Sequence, residues 1–305
     1  MSTGRYAPSP TGDLHLGNLR TAVVAWLLSR HAGSPFLLRI EDLDPASRTG
    51  RFEVGQLDDL RALGIDWDGE PIRQSERLDV YAAAIDELVG RELVFECYCS
   101  RREIREATRA AHDAGRAPGY PGTCRDLTDE QRRRRREERP AALRLRRIDG
   151  EVSFTDVIAG PFRGPVDDLV LRRNDGTPAY NLAVVVDDAA QGVERVVRGD
   201  DLLPATPAQI HLHSLFGSPP PEHAHVPLVL GPTGDRLAKR DGAVSLGQLR
   251  GLGHDAAEVL GWMGHSLGLT DVGEPTDIET LLDRFDPSAM AWSTWKVTDA
   301  QIGSP

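Results

Sequence analysis

Lysine is nearly missing from this 305-residue chain: Lys239 and Lys296 are the two present, and arginine supplies the rest of the 36 basic side chains. Genome composition accounts for such a bias, so no function is read from it. Cysteine is almost as scarce, with Cys97, Cys99 and Cys124 as the full set. An odd number crowded into one region excludes a disulfide framework and suits metal ligation in a reducing compartment. No stretch approaches the ~20 apolar residues of a membrane helix. The opening MSTGRYAPSP lacks the apolar core of a secretory signal, so a cytoplasmic protein without a membrane partner is expected. Positive charge is also short, 36 basic against 47 acidic side chains for a net charge of -11. A surface basic all over is thereby excluded, although phosphate contact needs only a local positive face.

What is present suffices for a full core. At 40% hydrophobic and 27% charged, the chain reads as globular, with two domains rather than one. A strand at 3–8, a helix at 19–31, a buried strand at 35–44 and helices at 51–63 and 77–90 form an α/β pattern with a parallel sheet. Residues 97–165 read as an insertion, because cysteines, GRAPGYPGTC and an arginine-rich run interrupt that pattern. DLVLRRNDGTPAYNLAVVVDDAAQGVERVVRGDDLL then alternates strand-like apolar runs with Asp-Gly and Gly-Asp turns, and TPAQIHLHSLFG resumes a helix. Residues 246–305 look helical and rich in glycine.

The stretch APSPTGDLHLGN, residues 7–18, carries the chemistry. Pro8 and Pro10 fix φ, Thr11-Gly12 permits a tight turn, and Gly17 keeps the approach to the following helix clear. A helix N-terminus offers free N–H groups and partial positive charge, and His15 adds a donor, so the loop leaves room for a phosphate.

RYAPSPTGDLHLGNLRTA closely resembles the HIGH-motif segment of class I glutamyl-tRNA synthetases. RIEDLDPASR resembles their next signature, AYNLAVVVDDAAQGVERVVRGDDLL their second amino-acid-site segment, and RLAKR, residues 236–240, their KMSKS loop. The resemblance spans nearly the whole chain and implies a doubly wound, Rossmann-type parallel sheet. It divides the sequence into a first catalytic half (1–96), a zinc-binding insertion (97–165), a second catalytic half with the KMSKS-like loop (166–245) and a helical C-terminal region (246–305). Because the chain ends before an anticodon-reading domain, it resembles most the short paralogues that activate L-glutamate and transfer it to the queuosine base of tRNA(Asp), as monomers. The alternatives are a minimal synthetase charging a tRNA 3′ end, a small nucleotidyltransferase such as pantothenate synthetase, and a non-catalytic tRNA-binding paralogue.

The resemblance implies roles residue by residue. ATP, accompanied by Mg2+, would contact Pro8, Thr11, Gly12, His15, Gly17, Asn18, Arg236 and Lys239, with His15 and Lys239 as the catalytic pair. Arg236 and Ala238 depart from the family loop, and Ala238 removes a hydroxyl donor. Glutamate would meet Arg5, Ser9, Glu41, Tyr180 and Arg198, with Glu41 on the ammonium and the arginines on the carboxylates. Taken without the resemblance, Arg5 and Arg198 read equally well as surface residues, Glu41 as a partner of Arg39, and Tyr180 as a core ring.

Cys97, Cys99 and Cys124 supply three thiolates of the four ligands a closed structural zinc site needs. The family pattern gives Tyr120 as the fourth; His112 is the ordinary chemical rival. The run QRRRRREERPAALRLRR, residues 131–147, could lie as a helix along tRNA phosphates, or pair with itself through Glu137–Arg133 and Glu138–Arg134.

Overall fold

The computed structural model describes residues 2–45, 47, 50–106, 120–235, 237, 244–290 and 292–302. Its centre is a five-stranded sheet, all parallel, in the order β10-β9-β1-β2-β3. The strands are β1 (Gly4–Tyr6), β2 (Phe36–Ile40), β3 (Ile72–Arg73), β9 (Arg195–Gly199) and β10 (Glu222–Val226). From β1 the chain winds one way to β2 and β3, whereas β9 and β10 extend the other edge. Strand order therefore reverses beside β1, and ligands of such sheets bind outside the strand C-termini at that switch.

Helix α1 (Leu16–His31) connects β1 to β2, and its buried residues run from Leu16 almost unbroken to Ser29. A helix apolar all round is buried all round. It lies between the sheet and the C-terminal helices Ala256–Ser266 and Ile278–Arg284, sharing one core with Val259, Met263, Ile278 and Leu281. Arg20, fully buried, ties it there by donating to Pro227 O (2.9 Å), Ser266 Oγ (2.9 Å) and Ser293 O (3.1 Å). Helices α2 (Arg51–Ala62) and α3 (Leu78–Gly90) follow β2 and β3.

Strands β4 (Val94–Cys97), β5 (Ala142–Leu145) and β8 (Val170–Arg172) form a separate antiparallel sheet. β6 (Glu151–Asp156) and β7 (Gly160–Pro165) make a hairpin. Val157 N at its turn donates to His223 O on β10 at 2.8 Å.

Four expectations from sequence are corrected. The apolar run 183–186 is not strand-like; it lies within α5 (Tyr180–Ala190), following α4 (Asp129–Glu138). Leu182, Ala183 and Val185 are buried there against Tyr81, Ile85 and Leu212, so tertiary packing overrides β-branched propensity. The arginine run is not one helix: α4 stops at Glu138 and residues from Ala142 onward form β5. Arg139 precedes Pro140, whose ring pushes it to extended backbone (φ −163°). The proposed Glu137–Arg133 and Glu138–Arg134 pairs give way to Arg132–Asp129, Arg134–Glu130, Arg135–Glu138, Arg136–Glu96 and Arg139–Glu103. Strand β2 also ends at Ile40, leaving residues 41–44 outside it.

Among the described residues no helix is long and apolar enough to cross a membrane. Gly261, inside the helix Ala256–Ser266, supports the C-terminal packing, since a Cβ there would stand 2.1 Å from Glu274 O. Helix propensity alone predicts that Gly261→Ala stabilises by about 1 kcal/mol. The backbone clash reverses the sign, and urea unfolding is expected to show a loss of about 1–3 kcal/mol.

Candidate functional site

Between β1 and α1 the chain crosses the sheet's switch point as a loop held from behind. Gln56 on α2, 1% exposed, donates from Nε2 to Ser9 O (3.2 Å) and Gly12 O (2.6 Å). Thr11 N closes a turn onto Ser9 O (2.8 Å), and Glu41 N donates to Pro8 O (2.9 Å). The start of α1 differs from expectation in one respect. His15 is the N-cap: its Nδ1 accepts from Gly17 N (3.1 Å) and Asn18 N (3.3 Å), while Asn18 Oδ1 accepts from His15 N (3.3 Å). Leu16 N donates to Val244 O (3.2 Å). The helix N–H groups expected to face a phosphate are thus occupied. In exchange, an accepting Nδ1 puts the neutral imidazole's proton on Nε2. Gly17 serves this cap, because a Cβ there would lie 3.0 Å from His15 Cε1.

The other end of the site is a buried ionic network. Arg39 on β2 is fully buried, with Nη1 2.7 Å from Asp188 Oδ1, Nη2 3.5 Å from Glu41 Oε1 and Nε 3.8 Å from Asp187 Oδ2. Arg5 on β1 shares Asp188 at 3.3 Å and donates to Val197 O. Gln74, Arg77 and Tyr81 complete the shell of Asp187 at 2.8–2.9 Å. Burial would raise the Asp188 pKa, but the charges of Arg39 and Arg5 outweigh it and hold the carboxyl below its ordinary value. Glu41 goes the other way: burial raises it, and Arg39 and Arg5 offset that only in part. Arg198 on β9 is buried too, its donors engaged by His225, Gln209 and Thr206. Arg5 and Arg198 are therefore not surface residues, Glu41 does pair with Arg39, and Tyr180 is 38% exposed.

Arg5, Pro8, Ser9, Thr11, Gly12, His15, Gly17, Asn18, Glu41, Tyr180 and Arg198 line one cavity of about 490 Å³. Arg236 and Lys239 lie outside the described residues. Leu237 between them lines the same cavity, and Ser245 just beyond bridges to His15. Sequence reasoning missed Gln56, Asp187 and Asp188 as contributors. The signal for the acids was faint: two aspartates at the end of an otherwise apolar helix, seven and eight residues after Tyr180. Gln56 gave one too, as the polar member of α2's buried pair with Leu60.

A second constellation sits beyond β4. The Cys97, Cys99 and Cys124 sulfurs lie within 4.8 Å of one another, and could hold a metal ion. Tyr120 Oη accepts from Cys124 N (3.0 Å) and stands 3.2 Å from Cys97 Sγ and 3.6 Å from Cys99 Sγ. Zn–S bonds of ~2.3 Å in a tetrahedron put ligands about 3.8 Å apart, and Cys99 and Cys124 are 3.6 Å apart. Four donors of suitable type thus face one point. Arg144 stacks its guanidinium 4.0 Å from the Tyr120 ring, which steadies that phenol. His112 lies outside the described residues.

Comparison with known proteins identifies the family. The chain is 55% identical over 303 residues to the glutamyl-Q tRNA(Asp) synthetase of Nocardia farcinica, covering 99% of this chain and 95% of that one. It is 50% identical to the one from Cutibacterium acnes, covering 99% and 90%. Among solved structures, a glutamate tRNA ligase from Elizabethkingia meningosepticum in complex with its amino acid superposes with a TM-score of 0.82 at 25% identity, over 99% of this chain and 68% of that one. Residues 2–286 match the family described as tRNA synthetases class I (E and Q), catalytic domain. With the match spanning almost all of its length, the chain belongs to the class I tRNA synthetases of the E and Q type, enzymes that use ATP.

Proposed function

We propose that this chain activates glutamate with ATP and passes it from glutamyl-adenylate to a hydroxyl of the queuosine base in tRNA(Asp). One observation carries the reading: a cavity at the sheet's switch point joins buried arginines and an acid at one end to a histidine-capped signature loop at the other. The names of its relatives point the same way.

In the first step a glutamate carboxylate oxygen attacks the ATP α-phosphorus and pyrophosphate leaves. The queuosine hydroxyl then attacks the mixed anhydride's carbonyl carbon, and AMP leaves. Neither step needs a protein nucleophile; each needs positioning and charge neutralisation. Glu41 pairs with the substrate ammonium, Arg5 and Arg198 with its carboxylates, and Ser9 and Tyr180 add hydroxyl contacts. On the nucleotide side Pro8, Thr11, Gly12, Gly17 and Asn18 shape the wall. His15 offers Nε2–H to the α-phosphate as charge develops there. Lys239 grips the departing pyrophosphate, Arg236 supplies further charge, and Ala238 offers no hydroxyl. Mg2+ enters with ATP. Cys97, Cys99, Tyr120 and Cys124 hold one structural zinc, which staples the segment around them and takes no part in the chemistry. The chain works as a cytoplasmic monomer.

The decisive experiment is glutamate-dependent pyrophosphate exchange without tRNA, followed by transfer of labelled glutamate to tRNA(Asp) with and without queuosine and to tRNA(Glu). Label on the queuosine form alone is expected. Label on tRNA(Glu) would make this a minimal conventional synthetase, and no exchange at all would leave a non-catalytic tRNA-binding paralogue.

Glutamate affinity carries a pH signature. Only ionised Glu41 pairs with the ammonium, and burial raises its pKa above the ordinary 4.5. Affinity is therefore full above the raised value and is lost as pH falls through it. The glutamate KM of the exchange reaction is expected to climb on the acid side earlier than an exposed carboxylate allows. Glu41→Gln abolishes that limb and raises KM by about 10–100-fold, the worth of a hydrogen bond to a charged group.

Metal analysis of the purified protein is expected to find about one zinc per chain, with Cys124→Ser losing it and melting at lower temperature. Tyr120→Phe keeps three thiolates but releases zinc to a chelator faster. A zinc content near zero as isolated would remove the assignment.

A further inference from the structure

Arg198 is steered by groups that do not reach the cavity. A guanidinium donates hydrogen bonds and never accepts them, so the contact of Arg198 Nε with His225 Nε2 at 3.0 Å requires that ring nitrogen to be bare. The imidazole proton then sits on Nδ1, which lies 2.5 Å from Asp156 Oδ2. Asp156 is itself immobilised: its Oδ1 accepts from Ile158 N (3.0 Å), Ala159 N (2.8 Å) and His225 N (3.1 Å). Both His225 and Asp156 side chains are wholly buried. The chain of contacts runs from the β6–β7 hairpin through the edge strand β10 to Arg198 on β9.

We propose that Asp156 and His225 are positioning residues: Asp156 selects the Nδ1–H tautomer of His225, whose bare Nε2 aims the Arg198 guanidinium at the carboxylate of bound glutamate. The inference rests on the glutamate reading above. Gln209 Oε1 and Thr206 Oγ1, each 2.7 Å from Arg198, hold the other two nitrogens, so Nε is the corner left for His225 to set. In the opposite tautomer Nε2–H would face Nε–H, donor against donor, and Arg198 would have to turn away. An asparagine at 156 allows that tautomer, since its amide donates to a bare Nδ1. The hairpin thus acts on the amino-acid end of the site through His225, 69 residues from Asp156 in sequence.

The test is pyrophosphate exchange with separate titrations of glutamate and ATP. Asp156→Asn is expected to raise the glutamate KM by about 10–100-fold while the ATP KM stays within about two-fold. His225→Met, which offers no nitrogen acceptor, behaves likewise. His225→Gln, whose amide oxygen can accept from Arg198 Nε, recovers most of the loss. Nitrogen-15 NMR of the unmodified protein reads the tautomer directly and depends on no variant folding; Nε2 is expected at the shift of an unprotonated nitrogen. A protonated Nε2, an unchanged glutamate KM in Asp156→Asn, or a parallel rise of both KM values overturns the inference. In those cases exchange by the unmodified protein keeps the glutamate reading intact. If the unmodified protein shows no glutamate-dependent exchange, the reading and the inference fall together.

Discussion

A guanidinium with no access to water sits on β2 of the parallel sheet, and much of the site is arranged around it. Removing an ion such as Arg39 from water costs several kcal/mol even after relaxation, and that cost is met here by three carboxylates. Asp187 and Asp188 come from the end of α5 and Glu41 from just past β2, so satisfying one side chain fixes the helix against the strand. Three acids around one arginine leave two negative charges over, and Arg5 beside Asp188 and Arg77 beside Asp187 balance them. Glu41 is the weakest member, at 3.5 Å from Arg39 and with a raised pKa. Asp187 and Asp188 are held by close contacts and Glu41 by one long one, so Glu41, on the wall of the cavity, is the member with most capacity for a further cation.

The loop end of the cavity is built from fixed groups in the same way. His15 gives up its Nδ1 to cap α1 and blocks the N–H groups that a bare helix end would present. What is obtained is a ring that cannot rotate freely and a defined Nε2–H. A donor held in place before the reaction stabilises charge that develops later without reorganising. Gln56 does the equivalent for the loop's carbonyls, and Gly17 is small because the ring needs the space. The helix dipole still favours an anion here, but the hydrogen-bond donor becomes a side chain in place of the backbone.

How much of this was legible in sequence follows from the range of each interaction. Residues in contiguous motifs were readable: the Pro8–Asn18 loop, Glu41 within RIED and the three cysteines came out with their neighbours, and all the described ones meet in two places. Residues acting through a partner distant in sequence were not. Asp187 and Asp188 matter because Arg39 stands 149 residues from Asp188, and no local period records that. Secondary structure failed in the same way at 183–186, where β-branched residues packed as a helix. It failed for a local reason at Pro140, whose effect on Arg139 was present in the sequence and was passed over. The pairing of α4's arginines also follows from the helix boundary: starting at Asp129 brings Asp129 and Glu130 beneath Arg132 and Arg134.

The two hairpin and cysteine assemblies outside the central sheet differ in what they can contribute. Around the cysteines the apolar cluster is small, with Phe95, Tyr98 and Tyr120 its main buried rings. Little surface is removed from water there, and a metal held by the three thiols would add stability. The β6–β7 hairpin needs no such staple, because the Asp156 carboxylate accepts backbone N–H groups from both the hairpin turn and β10. One assembly is thus closed upon itself, and the other is open toward the sheet and shares its hydrogen bonds with it. Of the two, it is the hairpin that connects to Arg198 on the cavity wall, through a buried carboxylate that cannot move without leaving four N–H groups unsatisfied.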